Sequence, residues 1–232
     1  MGPEPRSGHR ALRDRPMVFV DDLDVPQLTD GDRNHLERAL RLRSGDPIAV
    51  ADGAGRWRPA RFGTDIQPDG AVITEAEPAG HLTVGFAPVK GDRSDLIVQK
   101  LTELGVDRIV PLLTERTVVR WDEGRADKNL IRHRKIVRES AMQSRNLRPP
   151  TVGPLCALAE FLKAEEPGRV VLADPAGEPL VGPVSRIAIG PEGGFSPEEL
   201  AGREIVGLPG RILRTETAAI TAAVLAVNAR RG

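Results

Sequence analysis

The stretch Ile187-Ala188-Ile189-Gly190-Pro191-Glu192-Gly193-Gly194-Phe195-Ser196 decides how this chain is read. Two isoleucines around an alanine predict a short buried strand. The strand runs into a glycine-rich loop, and the loop into a helix start at Ser196-Pro197-Glu198-Glu199. Serine at the N-cap, proline at the first helical position and glutamate at the third predict a capping box. Open α/β sheets place ligands at the carboxyl ends of their strands, where this loop falls. The loop lacks the G-x-G-x-x-G spacing, and the chain lacks a G-x-x-x-x-G-K-[ST] motif. It is therefore neither a Rossmann dinucleotide loop nor a P-loop. By itself a Gly-Gly pair after a strand is better explained by a tight turn.

A second stretch changes that balance. Leu208-Pro209-Gly210-Arg211-Ile212-Leu213-Arg214-Thr215-Glu216-Thr217-Ala218 also leaves a predicted strand and opens a helix. Arg214 and Glu216 alone would be an ordinary surface pair, worth little. Leu172-Ala173-Asp174-Pro175 ends a third strand in the same manner. Loops of this kind at neighbouring strand ends predict one shared ligand pocket.

The elements around these loops alternate. Strands are predicted at Leu82–Val89, Val106–Leu112, Val170–Ala173, Ile187–Ile189 and Glu204–Leu208. A helix capped by Ser94 carries Leu96, Ile97, Leu101 and Leu104 at helical spacing, and Gly105 stops it. A long helix over Arg125–Ser144 turns Leu130, Val137 and Ala141 inward, with Arg132, Lys135, Glu139 and Gln143 on another face. The last helix runs from Thr215 to Ala229. This rhythm predicts an α/β domain with a mostly parallel sheet covered on both faces. Before it, Pro16–Pro78 reads as short strands at 17–20, 48–50, 56–62 and 71–75 with a short helix at Asp32–Leu40. That pattern predicts a small β-barrel. The expected division is a disordered leader at 1–14, the barrel at 15–78 and the α/β domain at 79–232.

Composition narrows the function classes. The chain of 232 residues carries 33 Lys and Arg against 33 Asp and Glu, so its formal net charge is zero. The balance holds only in the sum. Arg125 to Arg148 contains eight basic residues and two acidic ones, whereas Leu158 to Glu204 contains nine acidic and four basic. So little internal pairing in the first segment points to a polyanionic partner. Arg33, Arg38, Arg41 and Arg43 form an earlier basic set. With 5 Phe, 2 Trp and no Tyr, an aromatic stacking platform for single strands is not expected. One cysteine, Cys156, rules out an internal disulfide or a multi-cysteine metal site, and reads as a small buried hydrophobe. No metal is expected. No apolar run reaches the ~18 residues of a membrane span, and the first 14 residues lack the apolar segment of a secretory signal, so a cytoplasmic location is expected.

Taken together, Gly190–Phe195 and Arg211–Ala218 closely resemble the small-subunit ribosomal RNA uracil-N3 methyltransferase family (RsmE type), of the SPOUT class. The resemblance extends to Lys90-Gly91-Asp92-Arg93, to Gln99–Val106 and to Gln143-Ser144-Arg145. It also reaches His35–Arg41, Gly45-Asp46 and Asp52–Gly55, which look like that family's PUA-like RNA-binding domain. It implies a C-terminal α/β trefoil-knot methyltransferase domain, a homodimer, S-adenosylmethionine as cofactor and 16S rRNA of the small ribosomal subunit as partner. It further implies cofactor contacts from Leu172 and Ala173, from Ile189, Gly190, Pro191, Glu192, Gly193 and Gly194, and from Leu208, Ile212, Leu213, Thr217 and Ala218. The proline of Leu208-Pro209-Gly210 departs from the family, as does Met142 where a glutamate often stands.

A uracil N3 must lose its proton to accept a methyl group, so a base or an anion-stabilising cation is needed. Glu139 and Glu216 are candidate bases. Arg93, Arg116, Arg145 and Arg214 are candidate cations, with Gln143 beside Arg145. RNA docking is expected from Arg33, His35, Arg38, Arg41 and Arg43, and from Arg132 and Lys135 nearer the target. The rival readings are a SPOUT enzyme acting on a ribose 2′-oxygen or a guanine, and a non-catalytic RNA-binding assembly factor.

Overall fold

The computed structural model describes residues 11–119, 121–163 and 168–230. The chain folds as two compact units, Met1–Glu77 with Ala141–Pro149, and Pro78–Ser140 with Pro150–Gly232. The sequence boundary at 78/79 leaves Ala141–Pro149 in the second domain, whereas these residues pack in the first unit. Ala141 and Leu147 are buried there with Met17, Phe19 and Trp57. Arg148 donates to the carbonyl oxygens of Ala54 and, at 2.8 Å, Glu75. Most of the leader expected at 1–14 lies outside the described residues, but Leu12 is buried in the same cluster.

The first unit holds strands β1 (Met17–Phe19), β2 (Pro47–Ala51), β3 (Arg56–Arg61), β4 (Gln67–Pro68) and β5 (Ile73–Thr74). β1 runs parallel to β2, β2 pairs antiparallel with β3, and both β4 and β5 pair antiparallel with β3. Val18, Ile48, Val50 and Ala60 pack with Leu36 of the helical segment between β1 and β2. That segment begins with α1 (Asp30–Asn34), capped by the Thr29 hydroxyl, which accepts from the Asp32 N–H. It continues as a π turn over His35–Ala39.

The second unit contains β6 (Thr83–Phe86), α2 (Arg93–Leu104), β7 (Arg108–Leu113), α3 (Glu123–Ser144, its last turn in the first unit), β8 (Thr151–Val152), β9 (Cys156–Ala157) and α4 (Leu158–Lys163). β10 (Val170–Pro179), β11 (Arg186–Ile189), α5 (Pro197–Leu200), β12 (Ile205–Gly207) and α6 (Thr215–Ala229) follow. The strand order is β12-β10-β11-β6-β7-β8, with β9 also on β7, and every pairing is parallel. The sheet is built from β6 in both directions, so β6 and β11 flank the point where the order reverses. Leu82, Val84, Ile109, Val171 and Ile187 are buried in one core with Ile97 and Leu101 of α2 and an alanine face of α6. Burying one such large aliphatic side chain contributes roughly 1.5–3 kcal/mol. Ala219, Ala222, Ala223 and Ala226 carry only methyl groups, which lets α6 lie closely on α2.

Local signals act as their chemistry dictates, with two exceptions. Gly105 ends α2 at φ 82°, a conformation other residues resist. Ser196 and Glu199 complete the capping box of α5. Ser94, however, is not a cap: α2 starts one residue before it, and its buried hydroxyl accepts from the Val89 N–H at 3.2 Å. Cys156 is half-buried rather than buried. Burial and the neighbouring Glu160 carboxylate push its thiol pKa up. Among the described residues no helix is long and apolar enough to cross a membrane.

Candidate functional site

The middle of β10 and the carboxyl ends of β11 and β12 border a cavity of about 660 Å3. Its volume falls in the range of small-ligand sites, roughly 300–1,000 Å3. From β10 come Ala173, Asp174 and Pro175; from the loop after β11, Ile189, Gly190, Pro191, Glu192 and Gly194. The segment after β12 supplies Leu208, Gly210, Arg211, Ile212 and Leu213, and the start of α6 adds Thr215 and Ala218. Asp174, Pro175, Gly210, Arg211 and Thr215 lie inside the three stretches the sequence pointed to. Three of the expected cofactor residues are not among the lining residues. Leu172 is a buried strand residue, Gly193 turns its carbonyl to Arg116, and Thr217 is exposed.

The glycine-rich loop is held by side chains from its neighbours. The buried Thr215 hydroxyl donates to the Gly190 carbonyl at 3.1 Å. Arg116 donates to the Gly193 carbonyl at 3.0 Å. Glu199 accepts from the Glu115 N–H with one oxygen and from the Ser196 N–H with the other, at 2.8 and 2.9 Å. The segment after β7 is thereby bonded to the glycine-rich loop. Arg116 thus positions the loop.

One charged cluster joins the cavity wall. Arg93 lies 3.0 Å from a Glu192 oxygen and 3.5 Å from a Glu216 oxygen, and its Nε donates to the Lys90 carbonyl. The Glu216 side chain is 12% exposed, so its carboxylate is largely removed from water. Of the expected catalytic residues, Arg93 and Glu216 meet here. Glu139 pairs instead with Lys135 at 3.8 Å on an exposed face of α3. Arg214 is exposed at the start of α6. Gln143 and Arg145 fall in the first unit. The Arg145 guanidinium donates to the Met142 and Gln143 carbonyls, at 2.5 and 2.9 Å, closing the end of its own helix. Its φ is 60°, and burial lowers its pKa.

The expected RNA-docking residues divide likewise. His35, Arg38, Arg41 and Arg43 are exposed. Arg33 is bonded to the Gly63 and Thr64 carbonyls, both at 2.9 Å, and lies over the Phe62 ring. Arg132 is bonded to Asp95.

A second cavity, of about 420 Å3, opens after β6 and β7 between Lys90, Ser94, Asp95, Trp121, Arg125, Asn129 and His133. His133 lies on the inward stripe of α3, between Leu130 and Val137, where sequence periodicity could have found it. Burial lowers its pKa below the ordinary 6.5, Asp95 pulls it up, and Arg132 opposes that pull. The unfolded chain therefore takes up a proton near pH 6.5 that the folded chain resists. Stability is fully present above that pH and is lost as pH falls through and below it. Denaturation midpoints measured from pH 8 to 5 should decline in the wild type, and less steeply in His133→Phe. Equal slopes would mean that other groups set the acid limit.

An apolar-walled cavity with polar main chain and carboxylates at parallel strand ends fits a nucleoside cofactor carrying a positive charge. The family model described as an RNA methyltransferase domain matches residues 75–227, which places the chain among the RNA methyltransferases. The chain is 32% identical over 236 residues to a Mycobacterium bovis ribosomal RNA small subunit methyltransferase E, covering 89% of this chain and 88% of that one. It is 34% identical to the Bacillus subtilis protein of the same description, over 88% and 90%. A Neisseria gonorrhoeae ribosomal RNA small subunit methyltransferase E, solved bound to S-adenosyl methionine, superposes with a TM-score of 0.78 at 30% identity, over 90% of this chain and 95% of that one. The chain belongs to the ribosomal RNA small subunit methyltransferase E family.

Proposed function

We propose that this protein methylates N3 of an unpaired uridine in 16S rRNA of the small ribosomal subunit. It is an enzyme, an S-adenosylmethionine-dependent methyltransferase of small-subunit ribosomal RNA. The observation that carries the reading is the cavity between the middle of β10 and the ends of β11 and β12, with Arg93, Glu192 and Glu216 bonded at its wall. The cofactor supplies an electrophilic methyl group when bound. The main chain of Gly190–Glu192, Gly194, Leu208 and Gly210–Leu213 would hold it, with Ile189, Ile212 and Leu213 against its apolar parts. Glu216 accepts the proton that leaves N3, and Arg93 fixes that carboxylate and offsets the charge of the uracil anion. Arg116 and Thr215 keep the glycine-rich loop in place. N3 lies on the base-pairing edge, so the uridine must be unpaired or extruded.

Incubating the protein with S-adenosylmethionine and small-subunit RNA, then digesting the RNA for mass spectrometry, should yield 3-methyluridine. A methyl group on a ribose or a guanine would assign the enzyme to a different reaction. No transfer at all would favour the assembly-factor reading.

The finer architecture is part of this proposal. The mixed five-stranded sheet of the first unit, with Arg38, Arg41 and Arg43 exposed, supports a PUA-like RNA-binding domain over 15–78. The strand order of the second unit and the close crossing of β10 and β12 support a C-terminal trefoil knot within 79–232. Val224, 46% exposed on the apolar α6, supports a homodimer. A cytoplasmic location follows from the substrate. Arg38→Ala with Arg41→Ala should weaken RNA binding, lower the slope of log affinity against log salt by roughly 0.7–0.9 per lost phosphate contact, and leave cofactor affinity unchanged. An unchanged slope would remove these residues from the docking surface.

A further inference from the structure

The cavity between Lys90, Trp121 and His133 is not used by the mechanism above. Three features set it apart from an ordinary surface hollow. Its wall carries three cationic side chains, Lys90, Arg125 and Arg132, against one carboxylate, Asp95. The Trp121 ring, half-buried, lines it and lies 5.9 Å from the His133 ring, tilted by 56°. His133 is wholly buried, lines the same cavity, and neither ring nitrogen has a hydrogen-bond partner among the described residues. The nearest carboxylate oxygen, on Asp95, lies 3.5 Å from Nε2, and Asp95 is engaged by Arg132. Burying a polar group without a partner is costly, so an imidazole left so at a cavity wall is a group awaiting a partner.

The cavity and the cofactor site share a sheet edge. Lys90 stands after β6, and its carbonyl accepts from Arg93, whose guanidinium reaches Glu192 and Glu216. A strand with one base at the cofactor cavity would therefore pass the second cavity within a residue or so. Because the acceptor base must meet the cofactor at the mouth of the first cavity, beside Arg93 and Glu216, the second is left to a neighbour. We propose that this second cavity seats the unpaired nucleotide adjoining the acceptor, its phosphate on Lys90 and Arg125 and its base stacked on the Trp121 ring with an edge toward the His133 imidazole. The inference rests on the reading of the protein as an RNA methyltransferase. It calls for one stacked base, not a platform, which fits a chain with few aromatics. A neutral imidazole offers one donor and one acceptor, the pair a base edge can satisfy.

The test is a binding cycle, with no methyl transfer required. Labelled hairpin RNA carries the target uridine unpaired, with either a normal or an abasic nucleotide on each side of it. Affinity is read by fluorescence anisotropy for the wild type and for Trp121→Leu. We expect Trp121→Leu and the abasic nucleotide on one side each to weaken binding roughly tenfold, and their combination to weaken it no further than either alone. Arg125→Ala, at an exposed position, should lower the salt slope by about one contact. Cofactor affinity should be the same in all three proteins. The proposal is overturned if the two tenfold losses multiply, if Trp121→Leu binds as the wild type does, or if its cofactor affinity falls in step with its RNA affinity. Failure to find 3-methyluridine would refute the N3 assignment and leave this cycle readable.

Discussion

Gly177→Ala should destabilise the protein by more than ~3 kcal/mol, the upper range for forced overpacking. β10 is unusual in that its register against β12 shifts between Ala173 and Glu178, so the intervening residues loop out before the strand rejoins. At the rejoining point Gly177 lies on the backbone of Val206. A Cβ on Gly177 would stand 2.5 Å from the Val206 carbonyl carbon and 2.6 Å from its nitrogen. Gly207 faces the same crossing, where a Cβ would meet the Gly177 carbonyl oxygen at 2.5 Å. Two backbones cannot yield as a flexible side chain can, so the added methyl must separate the strands. Separation would also open the cavity proposed for the cofactor, since Asp174 and Leu208 flank the crossing and both line it. Urea titration should show a much lower midpoint, and calorimetry on any folded fraction should show weakened cofactor binding. A midpoint within ~1 kcal/mol of the wild type would mean that the crossing has slack.

Glu216→Gln should reduce methyl transfer at saturating RNA by roughly 10²–10⁴, the usual contribution of a positioned base. The substitution keeps shape and removes the charge that Arg93 faces. Folding should be little affected, because the Glu216 side chain keeps partial exposure and Glu192 retains the guanidinium. If the carboxylate takes the N3 proton, kcat should fall while KM for the RNA changes little. A loss confined to KM would make Glu216 a binding residue and transfer the search for the base elsewhere. Arg93→Ala should give a comparable loss, since it leaves two carboxylates facing one another without their shared cation.

Much of this was legible in the chain because it rests on local chemistry. The capping box at Ser196, the left-handed stop at Gly105 and the alternation of strands with helices depend on residues within one turn of each other. They predicted the parallel sheet and the three loops at its carboxyl edge, and ten of the thirteen expected cofactor residues line the cavity those loops enclose. The three that do not, Leu172, Gly193 and Thr217, lie in or beside those loops. Spacing identifies a loop, but not which side of it faces the cavity.

Contacts between distant residues were decided by the tertiary structure. Arg93 meets Glu192 and Glu216 across separations of 99 and 123 residues. Nothing at position 93 singles out those partners. Arg145 looked like an active-site cation from its motif, yet its guanidinium closes the carbonyl end of its own helix. A helix end leaves carbonyls without partners, and a nearby arginine satisfies them whatever else it could do. Gly177 carried no signal, because the demand for a missing side chain comes from Val206, which only the fold brings alongside. The sequence by itself determined which elements form and where their loops point. The fold alone decided which backbones cross, which charges share a partner and which imidazole is buried without one, because each depends on pairs that the chain separates and packing unites.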